Sequence, residues 1–413
     1  YIMKITRQTN ELKQILSKYN DTKYISYTNK TKQLLESLHN DMLKRYNYIN
    51  RHLTLSPTIE KIINISQIIK PNYFNNTSFP EIIINHIENK SITQIYYSFS
   101  LYNKPIQVYF VLEKDVSNTA LYDKYIKSII IWLCMLHDYS PKECVKSLTI
   151  YFYFTSLKKL IPKTKIEILN QNHVNTAFTT SCPDVGEIVI FRKEEWFKCF
   201  IHETFHTFGL DFSSMSNDII NKCISNIFKV KSEINSYEAY TEFWGEIINI
   251  FFCVFYNLEN KKDINEFYSK CELYMNLERI FSFVQMVKVL DFMGLTYSVL
   301  FKNTSSSVIA RENLYREHSS VLSYYIIKCV LFNDFQGFIQ WCNHHNDQLF
   351  HFKKTIANQK LFCVYIDKHY KTKSMMDELQ NVVYFLENLK KKKNTQVYNY
   401  MLTNLRMSLH ELG

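Results

Sequence analysis

All seven prolines of this 413-residue chain lie at or before residue 183, and none follows. Proline lacks an amide N–H and its ring clashes with the preceding turn, so it interrupts helices. The proline-free remainder is therefore open to nearly continuous helix. The proline-bearing part divides by its apolar period. Over residues 1–70, Leu12, Ile15, Leu16 and Tyr19, then Leu34, Leu35, Leu38 and Leu43, recur at helical spacing, which predicts a helical N-terminal lobe. An Asn-rich stretch with two prolines, "PNYFNNTSFP", begins a connection over residues 71–90.

From residue 92 the period shortens. "ITQIYYSFSLYNKPIQVYFVLE" reads as a hairpin, "NTALYDKYIKSIIIWLCMLHDY" returns to helical spacing, and "SLTIYFYFTSL" is strand-like. A short extended segment follows near Asn175–Thr179, then a Cys-Pro-Asp turn, a compact strand around residues 188–191, and a helix opened by Glu194 and Glu195, acids suited to its positive end. The expected fold class is α+β: a mixed sheet with one central helix, followed by a mainly helical C-terminal half. Three segments are expected, a helical lobe over 1–90, an α/β core over 91–257 and a helical lobe over 258–413.

That central helix carries "WFKCFIHETFHTFGLDF". Residues i and i+4 share a helix face, so His202 and His206 can aim two imidazoles at one point, with Glu203 beside it. This is the H-E-x-x-H pattern, in which the imidazoles hold one Zn²⁺ and the glutamate takes a proton from a bound water. Polar surface histidines and a glutamate are the plain alternative. Trp196, Phe197, Phe200, Ile201, Phe205 and Phe208 around the triplet leave little room for a solvent face.

A hydrolytic zinc site needs a third protein ligand. Asp211, just past Gly209, is one residue short of the position such a ligand takes after a glycine turn, and is a second choice. "NSYEAYTEFWGEIINIFF" is the better source, because Glu238, Glu242 and Glu246 recur every four residues on a helix otherwise apolar on nearly all sides. Glu242, in the middle, is the expected ligand, with Glu246 or Glu238 as hydrogen-bond acceptor for an imidazole. Glu238 has a competing reading as part of a helix cap with Asn235. "WCNHHNDQLFH", with Cys342, His344, His345, Asp347 and His351, lacks the spacing of a structural zinc site and reads as a polar face.

The order of strands, the "HETFH" helix and the downstream "YTEFWGE" helix resemble the zincin metallopeptidases of the gluzincin type over residues 92–257. The stretch from "VNTAFTT" to "HTFGLDFS" is also similar to zincin-like proteins of large cytoplasmic DNA viruses. The resemblance implies a zincin-like fold, His202, His206 and Glu242 as zinc ligands, and Glu203 as general base. It further implies Asn175, Thr176, Ala177, Phe178 and Thr179 as the edge along which a substrate peptide pairs. An oxyanion partner is expected from the helical half, where "ARENLYREHSSVLSYY" offers Tyr315, Arg316 and His318.

Composition limits the alternatives. The net charge of +10 comes mostly from lysines scattered among Asn, Ile and Tyr, which argues against a nucleic-acid partner; the dense run Lys390–Lys393 reads as a solvated helix end. Runs such as "SIIIWLCML" are about half the ~18 residues of a membrane span, and the start has no apolar stretch with a cleavage site. Ten cysteines without a CxxC pair read as reduced packing residues, hence a cytoplasmic, unsecreted protein. The expected function is a zinc peptidase acting on a peptide or protein. The runner-up is a zincin-fold structural or interaction protein, with virion association as one form of it.

Overall fold

The computed structural model describes residues 3–19, 24–72, 74, 78–392 and 395–413. Part of the Asn-rich connection (73 and 75–77) and Lys393 of the basic run lie outside the described residues. The chain opens with α1 (Arg7–Leu16) and α2 (Asn29–His52), each begun by a threonine, Thr6 or Thr28, whose hydroxyl accepts a first-turn N–H. A short strand β1 (Thr58–Lys61) and helix α3 (Glu81–Lys90) follow, then β2 (Thr93–Leu101), β3 (Lys104–Leu112), α4 (Ala120–His137) and β4 (Ser147–Phe154). One turn of helix, α5 (Gln171–Val174), leads into β5 (Ala177–Thr179), β6 (Val185–Ile190) and α6 (Trp196–Thr207).

The six strands form one mixed sheet in the order β1-β2-β3-β4-β6-β5. β4 runs parallel to both β3 and β6, and the other pairs are antiparallel. The expected hairpin is present, with Tyr102 and Asn103 both at positive φ (52° and 63°), the left-handed pair that a two-residue hairpin turn uses. β1 corrects the expectation of an all-helical segment before residue 90. It pairs Ile59 with Ile95 at the sheet edge, and all four of its residues are exposed, so no buried face marks it in the sequence.

Beyond α6 the chain is helical, as its lack of proline predicts: α7 (Asp218–Ile227), α8 (Ser236–Tyr256), α9 (Ile264–Phe292), α10 (Ser305–Leu314), a π-helical turn Leu322–Ile327, α11 (Lys328–Asn333), α12 (Phe335–His345), α13 (Ile356–His369), α14 (Lys373–Lys391) and α15 (Gln396–Thr403). Among the described residues no helix is long and apolar enough to cross a membrane.

One face of the sheet is covered by α3 and the residues before it, where Phe74, Phe79, Ile83 and Ile87 meet Val111, Tyr153, Val189 and Phe191. The other face carries the main core, in which α4 and α6 lie on the sheet and α8 packs on α6. That core continues without a break into α1, α2 and the C-terminal helices.

The cysteines depart from the reading of reduced packing residues. Cys144 bonds to Cys182 and Cys223 to Cys363, across 38 and 140 residues. Such partners are brought together by tertiary packing, which spacing along the chain does not disclose. Cys134, Cys199, Cys253, Cys271, Cys329 and Cys342 are free.

Candidate metal centre

All twelve residues of α6 are buried. The helix starts at Glu195, a non-glycine residue at φ 59°, and makes no side-chain cap there. Glu194 and Glu195 do not serve the helix end as expected. The Glu195 carboxylate accepts from Met407 N (3.0 Å), Ser408 N (2.6 Å) and Ser408 Oγ (2.8 Å), and Glu194 accepts from Lys159 N (3.0 Å). They hold the C-terminal segment against the helix start. At the other end Gly209, at φ 66°, lets its own N–H reach His206 O and Leu210 N reach Phe205 O, the paired bonds of a left-handed helix stop. The reversal returns Asp211 onto the helix it has just left.

His202 and His206 face the first turn of α8. His202 Nε2 and His206 Nε2 are 3.2 Å apart, and Glu238 Oε2 lies 3.1 Å from the first and 3.4 Å from the second. The outer nitrogens are engaged too. His202 Nδ1 is 2.8 Å from Glu242 Oε2, an ion pair off the ideal hydrogen-bond line, and His206 Nδ1 meets Asp211 Oδ2. Asp211 is itself fixed by Ser213 N (3.0 Å), Ser213 Oγ (2.7 Å) and Thr241 Oγ1 (3.3 Å). Glu242 also receives Lys198 Nζ at 2.5 Å.

The acidic stripe of α8 is therefore split among three tasks. Eight residues of helix span about 12 Å, so one stripe cannot converge on one point. Glu238 joins the two inner nitrogens, while Glu242, the expected ligand, sits behind His202 as its carboxylate partner. Glu246 is farther still, 2.8 Å from Lys328 Nζ in a fully buried pair, and takes no part. Asp211 acts on the outer nitrogen of His206 and not as a ligand. The capping reading of Glu238 fails as well, since Asn235 makes no side-chain cap.

This arrangement fits a divalent cation. With Asp211 on Nδ1 of His206 and Glu242 beside Nδ1 of His202, each Nε2 is left to present a lone pair, and two such lone pairs with a carboxylate oxygen repel unless a proton or a cation lies between them. His202, His206 and Glu238 form a group of this kind, His/His/Glu being a ligand set that suits zinc with a fourth position open. The same carboxylates also favour positive charge on the rings themselves, the charge that a bound cation would supply in place of a proton. Burial works against a charged His202, yet Glu238 and Glu242 together raise its pKa to about 9. Burial likewise opposes charge on His206, and Asp211 with Glu238 outweighs it, holding the imidazole well above its usual range. Burial would push Glu238 up, and the two histidines instead bring it to about 2.

Glu203 points to a small cavity of about 30 Å³, room for one or two water molecules, beside His202, Glu242 and Tyr324. Its carboxylate, 7% exposed, makes no ion pair or side-chain hydrogen bond among the described residues. Burial raises its pKa, and the neighbouring His202 and His206 offset part of the rise.

Of the expected edge, Asn175, Thr176 and Ala177 line this cavity and β5 is an edge strand of the sheet. Phe178 and Thr179 do not line it. Strand alternation turns Phe178 to the α3 side against Phe79, and Thr179 Oγ1 bonds Thr207 Oγ1 at 2.7 Å. The oxyanion candidates are also displaced. Tyr315 is buried with its hydroxyl on Glu317 Oε1 (2.7 Å), Arg316 and His318 are exposed, and the His318 N–H bonds Leu169 O. Tyr324 lines the cavity instead, its ring 6.1 Å from that of His202. It belongs to the π-helical turn, a distortion frequent at functional sites, but among thirty tyrosines no sequence signal singles it out.

Compared with family models, curated proteins and solved structures, the chain matches none of them.

Proposed function

We propose that the protein is a zinc-dependent peptidase of the zincin kind, with His202, His206 and Glu238 as ligands. The observation that carries the reading is the meeting of two Nε2 atoms and Glu238 Oε2 within 3.1–3.4 Å, each imidazole backed by its own carboxylate. When bound, zinc supplies Lewis acidity, lowering a water molecule's pKa toward about 7 and polarising a carbonyl.

The chain's own groups do the rest. Glu203 accepts the proton of the attacking water, whose oxygen bonds to the peptide carbon, and hands that proton to the nitrogen as the C–N bond breaks. Burial, with the added effect of Glu238, Glu203 and Glu242, keeps the Tyr324 phenol well above its usual pKa, so it stays a donor for the oxygen that gains charge. Asp211 and Glu242 hold the imidazoles in one tautomer and orientation. Thr176 and Ala177 offer a strand edge for a peptide backbone.

A second reading has its own observation. Ser319 Oγ donates to Asn175 Oδ1 at 2.6 Å, and residues 317–318 bond Leu169, so the loop after α10 bridges the approach to β5. A cavity of about 30 Å³ does not admit a peptide. A zinc-bearing structural or interaction protein, the virion-associated alternative included, would keep that closure permanently.

Metal analysis with a peptide-library assay separates the two. The peptidase reading expects about one zinc per chain and turnover that falls by about 100-fold or more in Glu203→Gln with zinc retained. Zinc without turnover of any library peptide leaves the structural reading standing. Absence of zinc at near-stoichiometric level overturns both.

A further inference from the structure

A second cavity, of about 420 Å³, lies away from the metal centre between the end of α9, α14 and the loop 161–165. Its size is within the range of small-molecule sites. Val287, Leu290, Leu379, Leu386 and Leu402 make its walls apolar. A lysine is buried among them. Lys288 lines the cavity while only 5% exposed, and its Nζ donates to Met401 O (2.7 Å) and Asn404 O (2.6 Å).

An ammonium has three N–H donors, and two carbonyls occupy two of them. No carboxylate lies within 4 Å of Lys288 Nζ among the described residues, unlike Lys159, Lys198 and Lys328, each of which is buried against a glutamate. A buried charge without a counter-ion is costly, and burial accordingly holds the Lys288 ammonium well below lysine's usual pKa range. The mouth has the same sign. Four lysines (163, 165, 288, 390) line the cavity against two carboxylates, Asp291 and Glu387, and Asp291 is already paired with Lys390 at 2.9 Å.

We propose that this cavity binds a single-chain fatty carboxylate, the chain packed on the leucine walls and the head group serving as counter-ion to Lys288. Apolar walls select the tail, and the uncompensated ammonium selects an acid over an alcohol or an amine of equal length. The proposal is independent of the metal centre.

Calorimetric titration of the delipidated full chain with laurate, dodecanol and dodecyltrimethylammonium tests it. Laurate is expected to bind saturably at one site, about tenfold or more tighter than dodecanol, with the cationic amphiphile weakest. Lys288→Met is expected to erase the preference for laurate over dodecanol. Val383→Trp, at a partly exposed cavity residue, is expected to weaken both by about tenfold or more. Should Lys288→Met fail to fold, the head-group comparison on the unaltered protein decides. No saturable laurate binding, equal affinity for laurate and dodecanol, or laurate binding untouched by Val383→Trp overturns the proposal.

Discussion

Glu238 Oε2 lies 3.1 Å from His202 Nε2, while Glu242, one turn along the same helix, lies 2.8 Å from Nδ1 of the same ring. One imidazole is thus gripped by two carboxylates with different duties. On the proposed reading, removing the inner one removes a zinc ligand, and removing the outer one loosens the ring that remains. Glu238→Ala is expected to lose zinc during dialysis. Glu242→Ala is expected to keep it with affinity lowered about 10- to 100-fold, the usual cost of such a supporting group. Competition with a chromogenic chelator measures both. A Glu238→Ala protein that holds zinc like the parent would remove Glu238 from the ligand set.

The difference between those two glutamates shows where sequence reading stops. His202 and His206 were legible because the α-helix itself dictates that i and i+4 share a face, and the hairpin at Tyr102–Asn103 because alternation breaks there. The choice among Glu238, Glu242 and Glu246 depends on which turn of α8 meets α6, a matter of helix crossing that no local pattern records. Tyr324 was hidden for the same reason, since its place follows from a π turn and from the packing of a distant helix. The Cys144–Cys182 and Cys223–Cys363 bonds likewise join loops and helices that only the tertiary fold makes neighbours.

Tyr324 provides a test of the chemistry apart from the metal. Its phenol is beside His202 and Glu203 but outside the proposed ligand set. Tyr324→Phe keeps the ring and deletes one donor, so zinc content and thermal stability are expected to hold while kcat falls about 100-fold with KM little changed. A proportional rise in KM at constant kcat would instead assign Tyr324 to substrate binding.

The bond between Ser319 and Asn175 closes the loop after α10 over the edge strand, and Ser320 beside it is a non-glycine residue at φ 32°. Glu317 anchors the base of this loop through Tyr315, Val321 and Leu322, so the Ser319–Asn175 bond is the contact that ties its tip to the edge strand. Ser319→Ala deletes one partly buried hydrogen bond, worth about 1 kcal/mol, and leaves the ligands and Glu203 untouched. Faster hydrogen exchange at residues 315–321 is expected, along with severalfold faster zinc removal by chelator and, if peptides are cleaved, a matching rise in kcat/KM. Unchanged exchange in that loop would mean that access is gained elsewhere.

Glu195 sets an acid limit on the fold. Its buried carboxylate accepts three hydrogen bonds from Met407 and Ser408 and pairs with Lys159, tying the last residues of the chain to the start of α6. Burial alone would raise its pKa; Lys159, Lys198 and Arg406 outweigh that and lower it from 4.5 to about 2. The folded protein therefore binds this proton less readily than the unfolded chain does. The stabilisation is complete above pH 4.5, declines as pH falls, and is gone near pH 2. The stabilisation lost is on the order of 3 kcal/mol. Denaturant unfolding measured from pH 6 to pH 2 is expected to show that loss in the parent protein. In Glu195→Gln, which starts out less stable at pH 6, the dependence is expected to flatten by a similar amount. Parallel curves for the two proteins would show that acid sensitivity arises from other carboxylates.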